Sequence, residues 1–159
     1  MQRQALGWND LLVLTYGADG NGRVSALRRC RGLAAAFRAW KVLRAEGIKG
    51  VDTFLKSMRS VASLSGDDDW QRAFAARELP WCMSLVRVLE PDGQCLPRSV
   101  AFCAYLRTLG CDAQLVLGKA KFRTNPFFNF HAWVQIGAYA VNDKASTIAA
   151  HVPIFKSPA

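Results

Sequence analysis

The stretch from Pro91 to Leu109, PDGQCLPRSVAFCAYLRTL, predicts a helix whose first residue is a cysteine. A Pro-Asp-Gly turn precedes it, and Pro97 is tolerated only in a first helical turn. Unpaired N–H groups and the positive end of the helix dipole favour the thiolate, the reactive form of cysteine. The same N–H groups can bind the oxyanion that forms when a carbonyl group is attacked. Cys95 is therefore the candidate nucleophile.

A base for this thiol is predicted on a strand that begins at His131. The run His-Ala-Trp-Val-Gln-Ile alternates in the manner of a strand, and residues 139–143 predict its antiparallel return. A two-residue loop would place His131 opposite Lys144. A three-residue loop, residues 136–138, places it opposite Asp143 at a Cβ distance of about 4.5–5.5 Å. We therefore expect the longer loop or an equivalent bulge, with Asp143 orienting His131.

The other histidine and the other cysteines are weaker candidates for this chemistry. His151 could serve as the base, but no acidic residue near it in the sequence would orient its ring. Cys103 lies on the apolar stripe of the predicted helix and is interpreted as a core residue, as are Cys30 and Cys82. Cys111, just past the helix end, is a candidate for exposure but has no local base.

The order of these motifs resembles the transglutaminase-like cysteine proteases, and within them most closely the leader peptidases of lasso-peptide biosynthesis. The resemblance covers about Asp92 to Phe155. It is carried by Cys-Leu-Pro-Arg-Ser at 95–99, Leu-Arg-Thr-Leu-Gly at 106–110, Leu-Val-Leu-Gly at 115–118, Pro-Phe at 126–127, His-Ala-Trp-Val at 131–134 and Val-Asn-Asp at 141–143. Residues 1 to about 90 carry no matching signature.

The resemblance implies an α+β fold with a papain- or transglutaminase-like core, in which the cysteine begins a helix packed on a small antiparallel sheet. It implies amide hydrolysis through an acyl-enzyme formed on Cys95, with His131 as the proton carrier and Asp143 as its partner. The substrate would be a ribosomally made lasso-peptide precursor, cut between leader and core. No cofactor is expected.

The same resemblance implies protein partners. In that family a small leader-recognition domain of winged-helix type presents the precursor, either fused to the peptidase or as a separate protein. Because the residues before Cys95 predict helices, we expect a separate recognition protein, with the lasso cyclase as a further partner. No nucleic-acid or membrane partner is expected.

Four residues near the predicted triad are candidates for substrate binding. Gln94 is a candidate second oxyanion donor by adjacency alone, and a plain loop role is the alternative. Phe127 and Phe128 lie in a predicted loop, where they either fold onto the core or line a groove beside His131. Trp133 shares a strand face with His131, and it either walls the site or packs in the core.

Composition predicts one ordinary domain over residues 1–159, with a helical layer at 1–90 and the catalytic core at 91–159. Five cysteines without a Cys-x-x-Cys pair argue for a reducing compartment. This cysteine spacing, with two separated histidines, also argues against a zinc site. Since no secretion signal or membrane span is recognisable, a cytoplasmic location is expected.

The first helix, predicted from Val24 to Ala45 with Gly47 as its stop, concentrates positive charge. Residues 1–60 hold eleven Lys and Arg against four Asp and Glu, whereas the rest of the chain holds ten against eight. The basic residues fall mostly off the apolar stripe of this helix; they include Arg28, Arg31, Arg38 and Lys41. They form either a solvated back of the helix or a docking surface for a partner or leader.

Further helices are expected before the catalytic core. Asp52 or Thr53 would cap the second helix. Asp69 would cap a third, which Pro80 interrupts before a short helix over residues 81–89. These elements make the first half mainly helical.

Two other functions remain open from the sequence. The same triad supports acyl transfer, in which an amine or thiol ester replaces water. The second alternative is a non-catalytic basic module that binds nucleic acid. Against it, the aromatic residues are not interleaved with Lys and Arg as a base-stacking surface would require.

Overall fold

The computed structural model describes residues 24–58, 66–122 and 129–158. Within these ranges the chain forms four helices and one four-stranded antiparallel sheet. The helices are α1 (Ala26–Ser57), α2 (Asp68–Leu89), α3 (Cys95–Thr108) and α4 (Ala145–Ala149). The strands are β1 (Ala113–Ala120), β2 (Phe130–Ile136), β3 (Tyr139–Ala140) and β4 (His151–Lys156), in the spatial order β3-β2-β1-β4. None of these helices is long and apolar enough to cross a membrane.

Helix α3 is the central element of the described structure. It packs against α1, α2, β1 and β2, and nine of its fourteen residues are buried, namely Pro97 and residues 99–106. Burial therefore extends well beyond the single apolar stripe that the sequence predicts. The helix ends at Thr108, and Gly110, two residues further on with a φ of 93°, turns the chain back towards the core. The predicted α+β class is confirmed: a cysteine begins a helix packed on a small antiparallel sheet, behind a helical N-terminal half.

Helix α1 contains the glycine break that the sequence predicts. Gly47 has φ 68° and ψ −159°, and the chain is helical again directly after it. The prediction that Asp52 or Thr53 caps a second helix is wrong, because the kink uses a single residue and both side chains lie inside α1. Asp52 instead accepts a hydrogen bond from Lys56 at 2.6 Å, one turn further on.

Helix α2 differs from its prediction at both points where a boundary was expected. Its cap is Asp67 rather than Asp69, and the Asp67 carboxylate accepts the N–H of Trp70 at 2.8 Å. The helix runs through Pro80 without interruption. A proline inside a helix costs about 3 kcal/mol. Buried residues on both sides of Pro80, including Glu78 and Cys82, offset this cost by fixing the helix in the core.

The cysteines also depart from their predictions at two positions. Cys82 and Cys103 are buried as expected, and burial raises the pKa of their thiols to about 12 and about 11. Cys30 is exposed, because it lies two residues, about 200°, from the buried position Gly32 on α1. Cys111 is buried, and burial raises its pKa to about 12, because the turn at the end of α3 directs the chain inward.

A buried carboxylate ties the helical half together. Glu78 on α2 is fully buried and accepts two hydrogen bonds from Arg29 on α1, at 2.8 and 3.0 Å. It also accepts the hydroxyl of Tyr105 on α3 at 2.9 Å. Burial and the charge of Glu78 raise the pKa of Tyr105 above its ordinary value, so the phenol stays protonated and continues to donate.

Replacing Arg29 with Met removes the guanidinium that hydrogen-bonds to Glu78 and leaves the buried carboxylate with the more distant Arg77, at 3.8 Å, as its ion-pair partner. We expect this change to lower the free energy of unfolding by about 3–5 kcal/mol, measured by urea denaturation followed by circular dichroism. Arg38→Met, at an exposed position of the same helix, is the control and should change stability by no more than about 0.5 kcal/mol. Equal effects of the two substitutions would contradict a structural role for this cluster.

Candidate active site

Cys95 is the first residue of α3 and is half-buried. The preceding residue, Gln94, is exposed, and its side chain makes no capping hydrogen bond to the helix. The first-turn N–H groups therefore receive no side-chain cap from Gln94, and they provide the type of donor that an oxyanion requires. Cys95 is thus placed as the sequence predicts, at a helix start and with part of its surface accessible.

His131, near the start of β2, and Asp143, in the turn after β3, are in direct contact. His131 Nε2 and Asp143 Oδ2 form a hydrogen bond. Burial acts to raise the pKa of Asp143, but hydrogen bonds from His131 and from the backbone N–H of Lys144 outweigh it, and the pKa is lowered. Asp143 is therefore charged near neutral pH and keeps the Nε2 proton in place. His131 Nδ1 is the nitrogen left to exchange a proton.

The hairpin that brings this pair together does not have the predicted three-residue loop. Ile136 pairs with Tyr139, so the loop is Gly137-Ala138, with a positive φ of 58° at the glycine. The regular ladder ends at residue 140, although the Val141 N–H still donates to the Val134 carbonyl at 2.9 Å. Residues 141–143 then bend away from the strand direction, and this irregular turn brings Asp143 to His131.

A buried hydrogen-bond trio connects the helix, the strand and the turn that carry these residues. Ser99 Oγ donates to the Ala132 carbonyl at 2.9 Å and accepts from Asn142 Nδ2 at 2.9 Å. Asn142 Oδ1 accepts the Val134 N–H at 2.7 Å, in place of a backbone carbonyl of the return strand. Ser99 lies one helical turn after Cys95, Ala132 follows His131, and Asn142 precedes Asp143. Each candidate catalytic residue is thus one position, or one helical turn, away from a residue of this trio.

The remaining predicted site residues lie in different environments. Trp133 is 1% exposed, and its ring stacks beside that of His131 with centroids 6.2 Å apart. It packs in the interior behind the histidine and offers almost no surface to a substrate, so the core alternative is correct and the groove-wall prediction is not. Phe127 and Phe128 lie outside the described residues. No group of three His, Cys, Asp or Glu side chains in the described ranges could hold a metal ion.

His151 lies closer to the site than the sequence suggested. Its ring centroid is 5.3 Å from that of His131. Its Nδ1 donates to the Thr147 carbonyl at 2.8 Å, so a carbonyl rather than a carboxylate orients it. The approach of β4 depends on Gly118 in β1, where a Cβ would come within 2.7 Å of the Trp133 ring and 2.9 Å of the His151 Cβ. A glycine inside a strand was the available sequence signal for this close approach.

Replacing Ser99 with Ala leaves the Ala132 carbonyl and the Asn142 amide without their shared partner. We expect a loss of about 1–3 kcal/mol in the free energy of unfolding. We also expect slower alkylation of Cys95 by iodoacetamide, because the start of α3 is no longer fixed against β2. Ser84→Ala, which removes an exposed hydroxyl bonded to the Pro80 carbonyl, is the matched control. A loss of stability with unchanged alkylation would show that the trio supports the fold and does not position Cys95.

The lowered pKa of Asp143 predicts how stability depends on pH. The charged carboxylate is the form that binds His131, so its contribution is present above the unfolded pKa of about 3.9 and is lost as pH falls through the lower, folded value. We expect the wild-type chain to be more stable than Asp143→Asn at pH 6 and the difference to disappear in strong acid. Urea denaturation from pH 2 to pH 7 measures this difference. A difference in the free energy of unfolding between the wild type and Asp143→Asn that grows as the pH falls would contradict the prediction.

The comparison with protein families matches the part of the chain that contains Cys95, His131 and Asp143. Residues 45–156 match the family model described as the transglutaminase-like superfamily. The match begins in α1 and includes α2, which the sequence resemblance did not cover, and it extends through α3 and the sheet. No curated protein and no solved structure matched the chain. Because the family match spans well over half of the sequence, the chain belongs to the transglutaminase-like superfamily.

Proposed function

We propose that the protein is a cysteine peptidase in which Cys95, His131 and Asp143 form the catalytic triad. The superfamily fold is typical of cysteine peptidases and acyltransferases. The observation that carries the proposal is the hydrogen bond between His131 and the charged Asp143, in a chain whose half-buried Cys95 begins a helix tied to the histidine strand. A histidine without a catalytic role does not require a charged carboxylate that is fixed beside its ring by a backbone N–H, as Asp143 is by Lys144.

The reaction follows from these positions. The Cys95 thiolate attacks the scissile carbonyl carbon, and the N–H groups at the start of α3 stabilise the oxyanion. The tetrahedral intermediate collapses, the C–N bond breaks, and protonated His131 gives its proton to the leaving amine. His131 then takes a proton from water, which attacks the thioester and releases the acid and the thiol. Asp143 holds the ring and stabilises its charged form throughout.

We further propose that the substrate is the precursor of a lasso peptide, cut between leader and core. The support is the order of the motifs around Cys95, His131 and Asp143. A separate leader-recognition protein and the lasso cyclase are the partners that go with this assignment.

The basic face of α1 is the proposed docking surface for the recognition protein. Arg31 and Arg38 are exposed and border a groove with Phe54, from the helix segment beyond the Gly47 kink, and Met58, the residue directly after the end of α1. A mixed cationic and apolar groove suits an acidic amphipathic segment of a partner.

Alkylation by iodoacetamide near pH 7, with sites mapped by mass spectrometry, tests the triad. We expect Cys95 to react faster than the exposed Cys30, and His131→Ala to slow Cys95 by roughly tenfold or more, since the thiolate then loses its imidazolium partner. Asp143→Ala should slow it in the same direction. His151→Ala is the matched control, because His151 is oriented by a carbonyl. If His151→Ala has the larger effect, the base is wrongly assigned.

Product analysis separates hydrolysis from acyl transfer. With a precursor peptide and its recognition protein, hydrolysis gives a free C-terminal carboxylate on the leader, whereas acyl transfer to an added amine gives an amide and releases the Cys95 thiol. The proposal predicts the carboxylate. A Cys95 that reacts no faster than Cys30 would remove the basis for either activity.

A further inference from the structure

A small cavity lies beside the start of α3, between the end of α2 and the turn that joins the two helices. Its volume is about 230 Å³. Arg87 and Glu90 border it from α2, Gly93 from the turn and Arg98 from the first turns of α3, and Met83 and Val86 contribute its apolar wall. The volume is below the roughly 300–1,000 Å³ of pockets that hold drug-sized ligands, so the cavity fits a single side chain.

Two residues that border the cavity, Gly93 and Arg98, are close to the candidate nucleophile in the sequence. Arg98 lies three residues after Cys95 on the same helix, and side chains three apart on a helix are neighbours with Cβ atoms about 5–6 Å apart. Gly93 lies two residues before Cys95 in the turn. A group held in this cavity would therefore belong to a molecule whose reacting bond is close to the Cys95 thiol.

The charges around the cavity favour an anion. Arg87 and Arg98 form no ion pair or side-chain hydrogen bond with any residue in the described part of the chain. The one carboxylate in the lining, Glu90, is 7% exposed. It is already engaged, because it accepts the indole N–H of Trp40 at 2.8 Å and pairs with Arg44 at 3.5 Å. Two guanidinium groups are thus left to face a ligand.

We propose that this cavity is a specificity subsite that binds an acidic side chain of the peptide attacked by Cys95. Arg98 and Arg87 bind its carboxylate, since a guanidinium matches a carboxylate with two parallel hydrogen bonds. Met83 and Val86 contact the methylene groups of the same side chain. The inference rests on the proposed function of Cys95 and specifies one element of its substrate.

The test compares two small alkylating agents of nearly equal size that differ in charge. Iodoacetate carries a carboxylate and iodoacetamide does not; in both, the Cys95 sulfur forms a bond to the methylene carbon and iodide leaves. The measured quantity is the ratio of their second-order rate constants at Cys95, in the full-length protein at low ionic strength. Arg98→Gln and Arg87→Gln remove one charge each, and Arg98→Lys retains the charge without the planar guanidinium.

We expect Arg98→Gln and Arg87→Gln each to lower the iodoacetate-to-iodoacetamide ratio by at least about threefold, the effect of one unit charge roughly 6 Å away in a water-like dielectric. Arg98→Lys should retain part of the preference, and 0.5 M salt should reduce the differences among the variants. Arg72→Gln is the control, because Arg72 lies on the same helix as Arg87 but fifteen residues, about 22 Å, away along the helix axis. Far-ultraviolet circular dichroism verifies that each variant is folded.

The outcomes separate the two levels of the proposal. An unchanged ratio in both Arg98→Gln and Arg87→Gln overturns the subsite, even when Cys95 reacts rapidly with iodoacetamide. A ratio that falls equally in Arg72→Gln overturns it as well, since the effect is then one of net charge alone. Slow alkylation of Cys95 by iodoacetamide contradicts the peptidase proposal. The ratio is measurable at a slow thiol, so it decides the subsite in that case too.

Discussion

A helix that is covered on several sides leaves its first residue little freedom, and this constraint on α3 governs the rest of the structure. Helices from the first half of the chain and strands from the second half pack against α3. The candidate nucleophile, Cys95, is the first residue of this helix, where burial is incomplete. The Ser99 hydroxyl then fixes this end against β2 and against the turn that carries Asp143. One buried oxygen thereby couples three chain segments that are distant in sequence. The site inherits its geometry from packing rather than from flexible loops.

Much of the fold was predictable because its signals are local. The turn and proline around Cys95, the glycine at 110 and the alternation from His131 each act over a few residues, so they mark the same boundaries in the sequence and in the structure. Continuity through Pro80 was not predictable. The interactions that hold both sides of that proline are between residues far apart in the sequence. Arg29 and Glu78, for example, are 49 positions apart. The exposure of Cys30 and the burial of Cys111 likewise depend on which neighbour covers each position.

The identity of the site residues was more predictable than the path of the backbone that brings them together. The pairing of His131 with Asp143 follows from residue types and approximate spacing, but the loop that produces it depends on Asn142. This side chain takes the hydrogen bond that a regular strand would supply with its backbone, so the chain can leave the ladder early at little cost. Alternation patterns contain no information about such a replacement. The approach of His151 needed the strand order, which places β4 beside β1 rather than beside the hairpin.

Gly118 lies on β1, between the histidine strand β2 and the edge strand β4. The aromatic ring of Trp133, from β2, and the Cβ of His151, from β4, both approach the space where a Cβ at residue 118 would lie, so side-chain atoms from the two strands that flank β1 come together over this glycine. A descendant of this chain that acquires even a methyl group at residue 118 must first lose bulk at residue 133 and also lose or shift the Cβ at residue 151. Residues 118, 133 and 151 can therefore change only in a fixed order, and the route by which the surroundings of His131 diverge over evolution is narrow.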